Sequence, residues 1–265
     1  MVEWKPWQPH EESFKSIRLE RAPNMARLTF DNPSRLNALS KKGFTEVTDA
    51  VTALNGEADV RVLILTGAGR GFCSGADVGD FLARRAEDEV AAKVPDRAGR
   101  ELPLLAHAEM PIIAAVNGPA AGAGLILALL ADFRIAGQSA FFVESHVARG
   151  LTPSVGAWYL PRIVGLGFAT EMVMLGRRVN AEEALAHGLV SSVVPDDELM
   201  SAAESMAEEL VALPRFALQT ARGALRRGME YSLDHVREWA GAMEALSLAT
   251  TDEAKTGSAG FGGSK

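Results

Sequence analysis

The chain of 265 residues is 48% hydrophobic and 23% charged with a mean hydropathy of +0.05, which excludes a largely disordered polymer and predicts one large globular domain or two small ones. Twenty-seven basic against thirty-four acidic residues give a formal charge of -7 and a pI near 5.4. The basic footprint of a nucleic-acid binder is therefore absent, and an anionic ligand needs a local site. One cysteine, Cys73, permits no internal disulfide and no cysteine-cluster metal site, and it fits a reducing compartment, so a cytoplasmic protein is expected.

The opening MVEWKPWQPHEE lacks the apolar stretch of a secretory peptide and predicts a loose amino-terminal arm. KSIRLE and MARLTFD predict a hairpin around Ala22-Pro23-Asn24, and VRVLILTG is a continuous apolar run of the kind found in a strand covered on both faces. Residues 82–110 read as a polar, mobile helical insert. Met110 to Ala131 is uncharged and of membrane length, but Pro111 and Asn117-Gly118-Pro119 divide it into a buried strand, a turn and a buried helix, so no membrane span is expected. IIAAVNG, FRIA and LVSSVVP repeat the buried-strand signature. Asn180 followed by Glu183 is a capping-box spacing ahead of EALAHGLV, with Gly188 at the helix end. Strands alternating with helical patterns predict an α/β fold. After Pro195 the spacing is helical almost to the end, which divides the chain into 1–195 and a helical region 196–265. Within the glycine-rich tail TGSAGFGGSK, Phe261 is out of character for an idle segment.

Two segments are candidates for chemistry. In VRVLILTGAGRGFCSGAD, residues 60–77, glycines follow a strand, yet a dinucleotide fingerprint built on Gly67 and Gly69 needs a third glycine where Phe72 stands, and no G-K-[ST] follows for a phosphate-binding loop. A tight βα turn accounts for the same glycines. In MPIIAAVNGPAAGAGLILALLAD, residues 110–132, small residues at a helix start leave N–H groups uncovered, and with the helix dipole these form a pocket for developing negative charge. Close packing of a buried helix on a sheet would use the same small residues.

Taken together, NPSRLNALS, LTGAGRGFCSGAD, PIIAAVNGPAAGAG, GLTPSVGAWYLPRIVG, LGRRVNAEEALAHGLVSSVVP and the final TGSAGF resemble, in order and over nearly the whole chain, the crotonases, or enoyl-CoA hydratase/isomerase superfamily. The resemblance implies a spiral of ββα units that holds an acyl-CoA thioester, then a helical trimerisation region giving a homotrimer or a dimer of trimers. It implies no cofactor beyond the coenzyme A carried by the substrate. It also implies an oxyanion hole made by the backbone N–H groups of Ala76 and Ala123, the second of which replaces a more usual glycine. Arg35, Leu36, Ala38, Ser74 and Asp77 fall in segments that line the CoA site of relatives, and Phe261 resembles an aromatic that reaches a neighbouring subunit's ligand.

The chain departs from the pattern where hydratases of the superfamily carry two glutamates. Ile126, three residues after Ala123 and on about the same helix face, takes the first place, and His146 takes the second. A positioned acid or base contributes roughly 10²–10⁴-fold to a rate, so an oxyanion hole without either carboxylate predicts a poor simple hydratase. Histidine exchanges protons near neutrality, which makes His146 the acid-base candidate, with a satisfied pocket or core histidine as the alternative. Glu144 would orient it if the segment stays extended, because residues two apart share a side. A histidine here also resembles the β-diketone hydrolases of the superfamily. Those enzymes pair it with an aspartate shortly downstream, whereas Thr152-Pro153-Ser154-Val155 offers no carboxylate. No histidine pair has helical metal-site spacing, no metal is expected, and Cys73 reads as a small buried hydrophobe. The expectation is an acyl-CoA enzyme of the hydratase/isomerase group in fatty-acid or related metabolism. A non-catalytic acyl-CoA binder and a CoA-independent β-diketone hydrolase are the alternatives.

Overall fold

A computed structural model describes residues 2–7, 14–80 and 102–250. At the start of the chain β1 (Lys5–Pro6) pairs antiparallel with β2 (Ile17–Ala22), so the described part of the arm is held against the sheet and is not loose. Its tryptophans are the reason. Trp4 Nε1 donates to Glu204 Oε1 at 2.7 Å, and the guanidinium groups of Arg27 and Arg21 lie 4.4 and 4.7 Å from the ring centres of Trp4 and Trp7. The expected hairpin follows, with β3 (Met25–Phe30) antiparallel to β2 and Asn24 turning the chain at φ 62°.

Ser40 caps α1 (Lys41–Asn55) by accepting from the Gly43 amide at 3.2 Å. The buried run then forms β4 (Val62–Gly67), parallel to β3. Of the expected insert, residues 82–101 lie outside the described residues. Its remainder is not a polar excursion, because Leu102–His107 form a short 3-10 helix that buries Leu102 and Leu105 in the core. The uncharged stretch from Met110 divides as expected into β5 (Ile112–Val116), a turn with a short strand β6 (Pro119–Ala121), and the buried α2 (Ala123–Leu130). No helix among the described residues is long and apolar enough to cross a membrane.

The chain continues through β7 (Phe133–Gly137), β8 (Phe141–Val143), α3 (Val155–Val164), α4 (Leu166–Leu175), β9 (Val179–Asn180), α5 (Ala181–Ala186) and β10 (Ser192–Val194). Asn180 caps α5, its Oδ1 accepting from the Glu183 amide at 2.9 Å, while the Glu183 carboxylate pairs with Arg177 at 2.7 Å instead of closing the box. Among the described residues the strands make a seven-stranded sheet in the order β1-β2-β3-β4-β5-β7-β10, parallel from β3 onward, and a three-stranded sheet β6-β8-β9. After Pro195 the described chain is helical, in α6 (Leu199–Ala212), α7 (Arg215–Gly228) and α8 (Leu233–Thr250).

Alternation along the central strands explains why they read as continuously apolar. Ala26, Leu28, Phe30, Leu63, Leu65, Ile112 and Ala114 face the core beneath α1 and α2, while Met25, Val62, Ile64, Ile113, Ala115 and Ile135 face Leu199, Ala203, Ala207 and Leu210 of α6. Beyond α6, one charged cluster ties α7 to the core. Asp132, just past α2, accepts from Arg222 Nε at 2.7 Å, Arg226 Nη2 at 2.8 Å and the Ile112 amide at 2.9 Å. Arg222, 7% exposed, also donates to the carbonyls of Leu105, Ala106 and Ala108. Removing one partner of a buried pair strands the other charge. Asp132→Ala is therefore expected to lower stability by about 3–5 kcal/mol, read as a fall in the denaturant midpoint.

Candidate active site

Beyond β4 the chain leaves the sheet, and its carbonyls need new partners. Two asparagines provide them. Asn37, fully buried at φ 59°, sends Nδ2 to the carbonyls of Ala68, Gly71 and Phe72 at 2.9, 2.7 and 3.2 Å, and its Oδ1 accepts the Asn32 amide at 2.9 Å. Asn117 donates to Gly67 O and Gly69 O, each at 2.9 Å, and accepts from the Gly67 amide at 3.1 Å. Sequence reasoning passed over Asn37. Its signal was an asparagine inside an apolar stretch, Leu36-Asn37-Ala38-Leu39, with no cap or hairpin for it to serve.

The clamped loop delivers residues 73–77 between two other segments. On one side Ser74 N donates to Leu36 O at 2.9 Å, Leu39 N to Gly75 O at 2.8 Å and Asp77 N to Leu39 O at 2.8 Å. On the other, Cys73 N donates to Pro119 O and Ala121 N to Cys73 O, both at 3.0 Å. Since the bonds to Leu39 are made by Gly75 and Asp77, the Ala76 N–H points away from Leu39. Gly75 stands at φ 101°, and a Cβ there would come within 2.7 Å of Ala121 O and 3.3 Å of Ala123 N. Ala123 is the first residue of α2, where an amide has no intrahelical acceptor. The start of α2 thus packs directly against the residue before Ala76. Close packing has its own residue, Gly124, where a Cβ would lie 1.9 Å from Cys73 O. Cys73 is fully buried and its thiol is pushed up to about 12 by burial, which makes it inert.

The end of β8 lies beside the end of β6, with Ala121 opposite Val143 and the Gly122 amide donating to Val143 O at 2.9 Å. The next three residues are Glu144, Ser145 and His146. Glu144 is fully buried, and its Oε1 accepts both the His146 amide, at 3.1 Å, and the ring Nδ1. The reason differs from the one expected. Extended structure stops at Val143, and His146, at φ -65° and ψ -50°, caps the 3-10 helix Val147–Arg149, so the chain curls the ring back onto the carboxylate. Ser145 Oγ lies 2.9 Å from where a Cβ on Gly122 would stand, which seats this turn against the start of α2. The His146 side chain is 25% exposed, and with Nδ1 engaged its Nε2 is the nitrogen left for a substrate.

The hydrogen bond that the ring gives to the Glu144 carboxylate, and then that group's charge, raise the His146 pKa above the ordinary 6.5, against burial and the nearby Arg149. Ile126, 5% exposed on α2, belongs to the hydrophobic core and has no proton to give. Arg35, Leu36, Ala38, Ser74 and Asp77 gather on the Leu39 side of residues 73–77. Arg35 Nη1 reaches Asp77 at 3.0 Å, Ser74 Oγ donates to Arg35 O at 3.1 Å, and Ala38 N to Arg35 O at 3.2 Å, with Leu36 turning the chain at φ 51°. The Asp80 amide, with Arg35, holds the Asp77 carboxyl below its usual range. Phe261 lies outside the described residues. Among the described residues no group of three or more histidine, cysteine, aspartate or glutamate side chains could hold a metal.

A histidine with a raised folded pKa stabilises the fold while protonated. That contribution is full on the acid side of 6.5 and is lost as pH rises through the raised value. Urea titrations at stepped pH are expected to show the parent more stable than His146→Gln in that acid range, with the gap closing as the ring deprotonates.

The family described as enoyl-CoA hydratase/isomerase matches residues 20–262. A crotonyl-CoA hydratase of Syntrophomonas wolfei is 35% identical over 243 residues, 91% of this chain and 93% of that protein. Among solved structures, an enoyl-CoA hydratase of Bacillus anthracis superposes with a TM-score of 0.83 at 31% identity, covering 93% of this chain and 96% of that one. A monofunctional enoyl-CoA isomerase of M. smegmatis does so with a TM-score of 0.72 at 34% identity, covering 84% and 99%. Sheet, helices and sequence agree along nearly the full length, and the chain belongs to the enoyl-CoA hydratase/isomerase family, the crotonases, as an α/β enzyme of that family.

Proposed function

We propose that this enzyme holds the oxygen of an acyl-CoA thioester between the Ala76 and Ala123 amides and that His146, oriented by Glu144, moves the proton at the carbon beside the thioester. The supporting observation is the buried carboxylate on the ring. Taking a carboxylate out of water costs several kcal/mol unless a partner compensates, and a protein that merely binds acyl-CoA has no use for that expense. The two amides stabilise the enolate oxygen, and Nε2 takes and returns the proton within hydrogen-bond reach. With Ile126 where a second carboxylate would stand, one side chain performs both transfers. This suits double-bond migration, exchange at the α-carbon, or water addition in which the same imidazole activates the water and delivers the proton.

The CoA moiety lies along Arg35, Leu36, Ala38, Ser74 and Asp77 in this reading. Residues 1–195 form the binding core, and 196–265 assemble a homotrimer or dimer of trimers, with Phe261 reaching a neighbour's ligand. The assembly is supported by α8, which buries no residue, and by the exposed Leu225, Leu233, Leu246 and Leu248 on α7 and α8. No cofactor besides the substrate's coenzyme A is required, and the setting is fatty-acid or related acyl-CoA metabolism in the cytoplasm. A second reading is hydrolysis of a β-diketone. Residues 152–155 lack the downstream carboxylate, but Glu144 supplies one from upstream, and the same dyad could drive water at a carbonyl.

Incubation in D₂O with a panel of enoyl- and acyl-CoA thioesters, read by mass, tests the proposal. Water addition, bond migration or α-deuteration is expected, falling about 10²–10⁴-fold in His146→Gln. Ala123→Pro removes one oxyanion donor at a helix position where proline is tolerated, and is expected to lower kcat about 10²–10³-fold with the helical circular dichroism retained. Tight thioester binding with no turnover across the panel would overturn the enzymatic reading. Failure to bind free CoA, with cleavage of a diketone, would favour the hydrolase.

A further inference from the structure

Glu144 Oε2 is fully buried and has no hydrogen-bond partner among the described residues. While Oε1 serves His146, Oε2 is pressed into the first turn of α3, where a Cβ on Gly156 would stand 2.3 Å from it and 3.3 Å from the carboxyl carbon. Gly156 has no positive φ, so its backbone does not require glycine, and glycine inside a helix is less stable than alanine by roughly 0.5–1 kcal/mol. What the missing Cβ provides is room.

We propose that Gly156 is a positioning residue for His146: the bare turn of α3 is what lets Glu144 reach the imidazole. A methyl group at 156 forces the carboxyl off the ring. The imidazole then keeps its half-burial and the repulsion of Arg149, both of which lower its pKa, and loses the hydrogen bond that raises it. The other charged groups on elements packed here are already engaged. Glu171 of α4 is held by Arg177 at 3.1 Å, and Arg162 of α3 lies on its own helix's Trp158, 3.4 Å from the ring centre. α2 carries no charge. The inference rests on reading His146 as the proton carrier, but the contact itself is measurable without turnover.

Titration of the His146 ring by NMR on histidine-labelled protein, assigned with His146→Gln, tests the inference in the parent, Gly156→Ala, Glu144→Ala and the double variant. Gly156→Ala is expected to titrate below the parent. In the Glu144→Ala background the same change should leave the titration unchanged and hold or raise Tm, because the space is then free and alanine suits a helix better than glycine. A folded Gly156→Ala with the parent titration, or an equal further shift in the Glu144→Ala background, would overturn the proposal. If Gly156→Ala does not fold, a double variant that folds with a Tm at or above that of Glu144→Ala supports the inference, and a double variant that also fails overturns it. Turnover retained by His146→Gln would sink the proton-carrier reading alone and leave the titration result standing.

Discussion

The carbonyls of Ala68, Gly71 and Phe72 have left the sheet when they meet Asn37, and those of Gly67 and Gly69 meet Asn117. A buried polar group without a partner costs about 1–3 kcal/mol, so the buried end of this loop, Gly71 and Phe72, depends on the Asn37 amide that answers its carbonyls. Everything in the site hangs on that arrangement. Residues 73–77 have a fixed place between the Leu36–Leu39 stretch and β6 because the loop before them is pinned. The Ala76 amide points away from Leu39 because Gly75 and Asp77 make the bonds to it. A change at either asparagine would act on residues 73–77 through geometry, without touching a substrate.

The far end of α2 is treated with similar care. Arg134 donates to Ala131 O at 2.7 Å and Arg226 to Leu130 O at 2.8 Å, so carbonyls that a helix end leaves over are answered by cations. Burial draws the Arg134 pKa down to about 10, still well above neutrality. Positive charge at the carboxyl end complements the negative pole of a short helix, and the amino end, with Ala123, is left to face the site. The dyad follows the opposite logic, because there a buried anion is answered by a single ring.

Much of the fold was legible because its signals are local. The hairpin, β4, β5 and the cap of α5 each follow from a run of apolar residues or from a spacing of three. The arm was misjudged because its stability comes from Arg21, Arg27 and Glu204, all distant in sequence, acting on two tryptophans. Leu102–His107 was hidden in a stretch whose average polarity is set by the residues before it. In the site, the residue types pointed to Glu144 and His146, but the stated geometry was wrong, since β8 is three residues long and the contact needs a turn. Asn37 carries no local sign of its task, because the carbonyls it donates to lie thirty-one to thirty-five residues away.

The two faces of the large sheet are completed at different times in the life of the chain. A ribosome makes the amino-terminal part first, and α1 and α2 can close over Leu28, Leu63 and Ala114 while synthesis continues. Met25, Val62, Ile64, Ile113 and Ala115 wait for α6, which begins only at Leu199. Until then a broad apolar surface on parallel strands stays open to water and to other nascent chains, the kind of exposure that chaperones relieve. The Asp132 cluster then joins residues ninety positions apart, a long loop to close, so docking of α7 belongs to the last stage of folding.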